Sequence, residues 1–304
     1  MDARIQDLPF DPAALHGLSE QLFRSHHQNN YGGAVKRLNA IRAQLATLPF
    51  ATAPSFQLNG LKREELIATN SMLLHELYFG SMGGDGKSME PPMALALDAN
   101  FGSVARWREE FAAMGKALGG GSGWVLLMLQ PREGTLVNQW AADHTQVLAG
   151  GVPILALDMY EHSYHMDFGA AAASYVDAFM DNIRWSAAYS RYQAAVHNAS
   201  EPFGAPRDDV AGALVLDVRR AGAFAQAATM IPGAEWRDPA MVADWSRELP
   251  PDREVIVYCV YGHEVGRATA MRLRAAGVKA RYLHGGIDAW QAAGNATVPK
   301  GARS

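Results

Sequence analysis

A dense group of polar side chains follows an apolar run in "VPILALDMYEHSYHMDFG", where Asp158 and His162 stand four residues apart. Two more histidines lie in segments with helical spacing, His26 in "RSHHQNN" and His75 in "SMLLHELYF". Three imidazoles and one carboxylate form a borderline donor set that suits iron or manganese and leaves room for a solvent or substrate molecule. These four side chains are therefore the candidate ligands of a metal site.

Each candidate also has a plainer interpretation when it is considered singly. A histidine on a helix is most often a surface residue or a satisfied core residue, and Asp158 could be an ordinary strand-end carboxylate. His26 and His27 are about 100° apart on a helix, so only one of them should face the core. His75 stands among leucines, where an imidazole without a partner is costly. The four residues are convincing as metal ligands only when they are considered together.

The second chemical group is the single cysteine, Cys259, which ends the apolar run "EVIVY" and precedes a helical pattern. A thiol at a strand-to-helix turn faces backbone N–H groups and the positive end of the helix, which lower its pKa. The sequence therefore predicts a reactive thiolate. The alternative is a buried cysteine with a purely structural role.

The first half of the chain reads as helical. Apolar residues recur at helical spacing over residues 12–48, with Pro49 as a stop signal, and again over residues 62–80 and 101–118. Interior glycines disfavour a helix by about 1 kcal/mol each. The triplet Tyr31-Gly32-Gly33 therefore predicts a kink or bulge in the first helix.

The pattern then changes to short apolar runs separated by turn residues, "GWVLLMLQ", "TLVNQWAA" and "VPILALD", which predict a small sheet. A single long helix, "AASYVDAFMDNIRWSAAYSRYQAAV", follows it. The stretch "HNASEPFGAPRDD" is rich in Pro, Gly and small polar residues, which is typical of a linker. The predicted first domain is residues 1–198, a helical hairpin (1–90) plus a small α/β part (91–198), followed by a linker at 199–208.

Strands and helices alternate beyond the linker, from "ALVLDVR" through "EVIVYCVYG" and "VGRATAMRLRAAG" to "VKARYLHGG" and "IDAWQAAG". Such alternation predicts an α/β domain with a parallel sheet, placed at residues 209–304. The predicted fold class is thus multidomain.

Composition excludes several classes of protein. With 19% charged and 49% hydrophobic residues the chain has an ordinary globular balance, and a net charge of −4 argues against a nucleic-acid partner. No apolar run reaches the roughly 18 residues of a membrane helix, so no membrane is expected. The N-terminal stretch lacks the pattern of a signal peptide, and one cysteine allows no intrachain disulfide. A cytoplasmic location is the resulting expectation.

The residues in combination resemble the iron/manganese superoxide dismutase family over roughly residues 1–195. "LDMYEHSYHMDFG" is similar to its Asp-x-Trp-Glu-His-x-Tyr signature, "FGSV…GSGW" to its mid-chain landmark, and "LSEQLFRSHHQNNYGGAVKRLN" to its first helix. The resemblance implies a helical hairpin followed by a small α/β part, and dismutation of superoxide at one Fe or Mn ion per subunit. The implied ligands are His26, His75, Asp158 and His162, with solvent as the fifth.

The resemblance also shows where this sequence departs around the metal. The family commonly places a gateway His and Tyr at the positions of Asn30 and Ala34, and Tyr31 is the candidate replacement. His144 stands near the pocket glutamine of manganese enzymes, so it is the expected hydrogen-bond partner of the solvent; a neutral surface role is the alternative. The iron-type glutamine position holds Ser71, so the choice between Fe and Mn stays open.

Other positions of the signature concern the pocket wall and the oligomer. Tyr160 replaces the family's Trp, Trp124 is a pocket aromatic, and Leu126 stands where a second aromatic is expected. Glu161 is similar to the family's bridging glutamate, which holds the ligand histidine of a partner subunit. With Tyr164 it implies a homodimer or a dimer of dimers.

The remainder resembles a single-domain rhodanese over roughly residues 205–297, on "LVLDVR", "IPGAEW", the Cys259 loop and "YLHGGIDAW". In that family the cysteine accepts a sulfane sulfur as a persulfide, and Asp217 resembles the strand-end aspartate. The family places basic or hydroxyl residues where Val260 and Glu264 stand, and a carboxylate there should repel thiosulfate. The candidate loop residues are Val260, Tyr261, Gly262, His263, Glu264 and Arg267, of which His263 and Arg267 could restore positive charge.

The first hypothesis is therefore a superoxide dismutase fused to a rhodanese-like domain, with superoxide and a sulfane-sulfur donor as small-molecule partners. The alternative is a poorly dismutating metal-binding protein that acts mainly in sulfur transfer or in oxidative or oxyanion stress sensing. A third hypothesis is a non-enzymatic stress module in which both folds serve dimerisation and sensing.

Overall fold

The computed structural model describes residues 2–250 and 252–300, and its first part is dominated by helices. The predicted first helix over 12–48 is interrupted. Residues Pro12–Ala14 form a separate 3-10 turn, and the α-helix begins only at Glu20, where the Ser19 side chain accepts a hydrogen bond from Leu22 N. The helices of this part are α1 (Glu20–Ser25), α2 (Gly32–Thr47), α3 (Ser55–Gly80), α4 (Pro91–Phe101) and α5 (Val104–Ala117).

The predicted bulge exists as a π-helical segment, His26–Tyr31, between α1 and α2. It ends where the two glycines begin, and its wider turn changes the direction in which successive side chains project. A π-helical turn of this kind is frequently found at functional sites. His26, the first residue of the segment, is buried, while His27 is only half-buried, as the 100° argument required.

The helical hairpin consists of α2 and α3, which pack along Leu38, Ile41 and Ala68. Helix α3 begins at Ser55, directly after Pro54, rather than at Lys62 as predicted. Helix α4 was not predicted, because its sequence follows a Gly-rich loop and starts with two prolines; proline is tolerated in the first helical turn.

All three predicted strands of the first part are confirmed: β1 (Trp124–Gln130), β2 (Thr135–Ala141) and β3 (Val152–Asp158). They form an antiparallel sheet in the order β2-β1-β3. Six of the seven β1 residues are buried, which explains its continuous apolar sequence. The register pairs Trp124 with Asp158, so a pocket aromatic and a candidate ligand meet at one end of the sheet.

The long helix expected after the sheet is broken into two. A short helix, α6 (His165–Phe168), precedes α7 (Ala172–Asp181) and α8 (Trp185–Ser200). At the break, Asn182 Nδ2 donates to His16 O and Asn182 Oδ1 accepts from His16 N, while Ile183 bridges to Met82. The long-range contacts of Asn182 and Ile183 override a local pattern that favours one continuous helix.

The second part is the predicted α/β domain with a parallel sheet of five strands, β4 (Gly204–Ala205), β5 (Leu214–Asp217), β7 (Glu235–Trp236), β8 (Val255–Tyr258) and β9 (Ala280–Leu283), in the order β4-β9-β8-β5-β7. Its two core clusters lie on the two faces of the central strands, with Val257 on one face and Ile256 on the other. The other elements are α9 (Ala221–Gln226), β6 (Thr229–Met230), α10 (Val242–Trp245), α11 (Glu264–Ala275), α12 (Gly286–Ala292) and β10 (Val298–Pro299).

The segment expected to be a linker, 199–208, is largely ordered into the fold. Helix α8 continues to Ser200, a 3-10 turn follows at Glu201–Phe203, and β4 joins the edge of the parallel sheet beside β9. Residues 301–304, the end of the predicted second domain, lie outside the described residues. Within the described ranges, no helix is long and apolar enough to cross a membrane.

Candidate metal centre and cysteine site

The four candidate ligands come from four different elements and meet at one place. His26 opens the π-helical segment, His75 lies on α3, Asp158 ends β3, and His162 lies in a 3-10 turn directly after it. One donor atom from each lies within 4.8 Å of all the others. Two ligands therefore come from the helical part of the domain and two from the end of the sheet and the turn that follows it.

Asp158 is the centre of the arrangement. Its Oδ2 lies 3.2 Å from His26 Nε2, 3.5 Å from His75 Nε2 and 3.3 Å from His162 Nε2. The buried atoms His26 Nε2 and Asp158 Oδ2 nevertheless have no hydrogen-bond partner of acceptable geometry in the described part of the chain. A coordinated cation would satisfy these converging atoms, which make no acceptable hydrogen bonds to one another.

Two hydrogen bonds orient these ligands. His75 Nδ1 lies 2.6 Å from Ser71 O, to which it can only donate, so its Nε2 keeps a free lone pair toward the site. Asp158 Oδ1 accepts from Tyr160 N at 2.9 Å, which leaves Oδ2 as the carboxylate's donor to the centre. The second bond links the strand end to the turn that carries His162.

Electrostatics keep His26, His75 and Asp158 in their metal-binding protonation states. Burial lowers the pKa of His26 and lowers that of His75 to about 3, so both imidazoles are neutral at ordinary pH. Burial alone would raise the pKa of Asp158, but the facing imidazoles of His162 and His26 hold it well below its usual range. Neutral histidines and an ionised carboxylate are the forms that bind a cation.

An indole, an imidazole and a phenol form one wall of the centre. Trp124 lies with its ring 5.4 Å from that of His75, and its Nε1 donates to His144 Nδ1 at 3.0 Å. Tyr160 stacks between His144 and His162, with ring centroids 4.7 and 5.4 Å away. The site residues predicted for this wall are therefore brought together, and burial lowers the pKa of His144.

Tyr31 lies on another side of the centre, with its ring 6.4 Å from that of His75. Its hydroxyl accepts from Gln6 N and donates to Glu76 Oε1, both at 2.8 Å, and burial raises its pKa to about 12. Ala34, one turn further, is buried and offers no polar group. Tyr31 is thus the phenol that the π-helical segment carries to this side of the site.

Glu161 and Tyr164 lie on either side of the ligand His162 in the sequence and differ in burial. Glu161 is exposed in the single chain, so its carboxylate is free to meet another molecule. Tyr164 is buried, with its ring 5.4 Å from that of Tyr175, whose hydroxyl donates to Asp158 O at 2.8 Å. Tyr164 therefore packs against Tyr175, which in turn holds the strand end that precedes the turn carrying His162.

The lone cysteine follows β8, and its loop leads into α11. Cys259 is 5% exposed. Burial raises the pKa of the thiol, while N–H groups of Gly266, Gly262 and His263 lower it only in part. The prediction of a lowered pKa was therefore wrong, because desolvation of the thiolate outweighs the stabilisation by the loop and the helix N-terminus.

The charged residues predicted for this loop have other partners. Glu264 is 3% exposed, and its oxygens accept from Tyr189 Oη at 2.9 Å and Gln193 Nε2 at 3.0 Å, both on α8. Arg267 donates to Gly262 O at 2.9 Å and also reaches the end of α8, so it does not restore charge beside the thiol.

Asp217, the predicted strand-end aspartate, is fully buried and bound to protein groups. It pairs with Arg219 and accepts from Tyr258 Oη at 2.8 Å. Tyr261 is 56% exposed and its ring lies 5.7 Å from that of His263, while Val260 and His263 line a cavity with Cys259. Gly262 has a φ of +67°, and an added Cβ there would lie 2.6 Å from Gly285 N.

Three residues near these sites were not predicted. Ser71 was considered only as the position of a missing glutamine, although its place four residues before His75 is a signal for an i−4 backbone contact. Tyr189 and Gln193 carry no sequence signal, because their partner Glu264 lies more than seventy residues further along the chain.

Comparison with known proteins gives a family match for each of the two parts of the chain. Residues 89–191 match the family of iron/manganese superoxide dismutases, C-terminal domain, and residues 201–293 match the rhodanese-like domain. The Fe superoxide dismutase of Cupriavidus metallidurans is 66% identical over 194 residues, which cover 64% of this chain and 98% of that protein. A Mn superoxide dismutase of Halobacterium salinarum is 36% identical over 195 residues, covering 62% of this chain and 94% of that protein.

The fold and the centre define a metal-dependent oxidoreductase joined to a second, α/β domain. The chain belongs to the iron/manganese superoxide dismutase family and carries a rhodanese-like domain after it. The three imidazoles and the carboxylate fit the iron or manganese ion of this family, with one ion per subunit.

Proposed function

We propose that the protein dismutates superoxide to dioxygen and hydrogen peroxide at the centre formed by His26, His75, Asp158 and His162. The observation that carries this proposal is the convergence of four donor atoms, three of them on buried residues and two of them without hydrogen-bond partners in the described part of the chain. An iron or manganese ion held by these four residues would supply the one-electron redox couple that dismutation requires.

The chain's own residues hold and orient the groups around that chemistry. The Ser71 carbonyl fixes the His75 tautomer, and the backbone N–H of Tyr160 fixes the rotation of the Asp158 carboxylate. His144 accepts from Trp124 through Nδ1, so its neutral ring carries a proton on Nε2. We assign to His144 Nε2–H the hydrogen bond to the solvent molecule of the centre. We assign to Tyr31 Oη the role of the gateway His and Tyr that the family places at the positions of Asn30 and Ala34.

Replacing His162 with Ala tests the dismutase proposal. The variant should lose most of its metal, measured by elemental analysis, and its superoxide consumption should fall to background. His165→Ala is the matched control, because His165 is exposed three residues later and is not among the four ligands. Superoxide consumption that survives in metal-free His162→Ala would refute the proposal.

The exposed carboxylate of Glu161 favours a homodimer or a dimer of dimers in which Glu161 contacts the ligand-bearing turn of a partner subunit. Sedimentation velocity should show a dimer or larger species, and Glu161→Ala should dissociate it toward monomers. A monomeric wild-type protein at micromolar concentration would contradict this arrangement.

A cytoplasmic location is consistent with a single unpaired cysteine and is tested by cell fractionation.

The second proposed function belongs to Cys259, which lines a cavity of about 330 Å3. The Cys259 thiolate attacks the outer sulfur of a sulfane-sulfur donor, the donor's S–S bond breaks, and the leaving group departs with that electron pair. A persulfide forms on Cys259 and passes its outer sulfur to an acceptor, which restores the thiolate. Cyanolysis-labile sulfur on the wild type, and none on Cys259→Ser, is the expected result.

A further inference from the structure

The cavity at Cys259 lies between the two domains rather than within one of them. One side is the cysteine loop and the segment that follows β5, and the other side comes from the first residues of α4 and the middle of α8. A pocket between domains is a common place for a small-molecule site. Its wall includes Cys259, Tyr261, His263 and Arg220 from the rhodanese-like domain, and Pro92 and Tyr189 from the dismutase domain.

Glu264 ties the cysteine loop to the dismutase domain. It lies five residues after Cys259, and its buried carboxylate accepts one hydrogen bond from Tyr189 and one from Gln193 on α8. Both oxygens of the carboxylate are therefore bound by the other domain. The position of the loop, and with it the shape of the cavity, depends on α8 as well as on the rhodanese-like sheet.

Within the described part of the chain, Arg220 is the arginine of the cavity wall whose side chain no protein group binds. Arg219, beside it, is paired with Asp217, and Arg267 is bound to Gly262 O and to Glu201. The half-buried Arg220 side chain lines the cavity and has no ion pair or hydrogen bond within residues 2–250 and 252–300. Its guanidinium is a planar fork that suits a carboxylate.

The rest of the wall favours an organic molecule over a small inorganic anion. Apolar groups from Pro92, Ala223, Val260 and Val265 line the cavity, and its volume of about 330 Å3 is in the range of small-molecule sites. We propose that Cys259 and Arg220 form a composite site, completed by the dismutase domain, that takes an organic persulfide bearing a carboxylate. This inference rests on the sulfur-transfer function proposed above.

The reaction at this site needs no external oxidant. The Cys259 thiolate attacks the outer sulfur of R–S–SH while Arg220 holds the carboxylate of R. The S–S bond of the donor breaks, R–S⁻ leaves with the electron pair and takes a proton from solvent, and Cys259–S–SH forms. One S–S bond is made for the one that is broken.

The test compares two donors that share a two-carbon chain, the persulfide of 3-mercaptopropionate, which ends in a carboxylate, and the persulfide of 2-mercaptoethanol, which ends in a neutral hydroxyl. Sulfur loading of Cys259 is followed by mass spectrometry of the full chain in Arg220→Ala, in Arg220→Lys and in the exposed control Arg207→Ala. For the carboxylate donor, Arg220→Ala should raise KM about tenfold or more with kcat largely kept, since a lost charged hydrogen bond is of that size. Arg220→Lys should retain part of the preference, and Arg207→Ala should behave as wild type.

The outcomes separate this inference from the function on which it rests. If wild type accepts sulfur from neither donor but gains cyanolysis-labile sulfur from thiosulfate, sulfur transfer stands and the composite site is refuted; if it accepts sulfur from none of the three, the sulfur-transfer proposal itself fails. If wild type loads equally well from both donors, or if Arg220→Ala affects them equally, sulfur transfer stands and the composite anion site is refuted. Tyr189→Phe adds a domain-specific readout, since it should slow loading of Cys259 while metal content and superoxide consumption stay unchanged.

Discussion

Trp124 Nε1 donates a hydrogen bond of 3.0 Å to Nδ1 of His144. An indole N–H can only donate, so the bond fixes His144 Nδ1 as the acceptor and leaves the ring proton on Nε2. The strand register places Trp124 beside Asp158, and His144 stacks on Tyr160, which in turn stacks on the ligand His162. The orientation of His144 thus depends on one residue of β1.

We expect Trp124→Phe to lower superoxide turnover about tenfold while metal content stays near wild type, since outer hydrogen bonds of metal sites commonly have effects of this size. The physical reason is that His144 loses the donor that fixes its tautomer. Pulse radiolysis and elemental analysis measure the two quantities. Trp140→Phe is the control, because Trp140 is 52% exposed; equal turnover in both variants would contradict the role of the Trp124 bond.

Removal of the metal should destabilise the protein. Without a cation, the ionised Asp158 is fully buried beside the neutral imidazoles of His26 and His75, and neither ring nitrogen of His26 has a hydrogen-bond partner in the described ranges. Binding to the folded state alone stabilises it by about 2.7 kcal/mol at a free metal concentration 100 times Kd. Calorimetry of metal-loaded and chelator-treated protein should show a lower Tm without metal. An unchanged Tm would mean that the four donors do not form the main metal site.

Met271 lies on α11 of the rhodanese-like domain but is buried at 1% exposure in the dismutase core cluster. Met271→Ala should lower the free energy of unfolding by about 2 to 5 kcal/mol, the usual cost of such a truncation in a core. The expected midpoint of urea denaturation, followed by circular dichroism, is correspondingly lower. Met241→Ala, at a 51% exposed methionine of the same domain, should leave it nearly unchanged. Similar midpoints for both variants would mean that the domains are not packed together in solution.

Alkylation of Cys259 should be slow at neutral pH and should increase with pH. Iodoacetamide reacts with the thiolate, and burial raises the pKa of Cys259 above its ordinary value of 9.0, so the half-maximal rate constant should lie above pH 9.0. Glu264→Gln should move the midpoint downward, because the Glu264 charge also raises this pKa. Glu133→Gln, at an exposed carboxylate, is the control. A midpoint below the ordinary value would show that the loop stabilises the thiolate after all.

Much of the centre could be predicted from the sequence. The candidate ligand set followed from residue types in combination and from the family resemblance that they carry, and the strand that ends in Asp158 followed from a local apolar pattern. The bulge before Gly32 followed from helix propensity, although its π-helical form did not. The strand and helix order of the second domain was predictable for the same reason, because period and turn residues are local properties.

Tertiary structure decided the features that depend on residues far apart in sequence. Contacts of Asn182 with His16 break the helix that the local pattern predicts. Residues 204 and 205 of the expected linker pair with β9 at the edge of the parallel sheet. The carboxylate of Glu264, predicted to repel a donor at the cysteine loop, is bound by Tyr189 and Gln193 of the other domain. No periodicity or spacing reports such contacts, because their stability arises only when distant segments pack and exclude water.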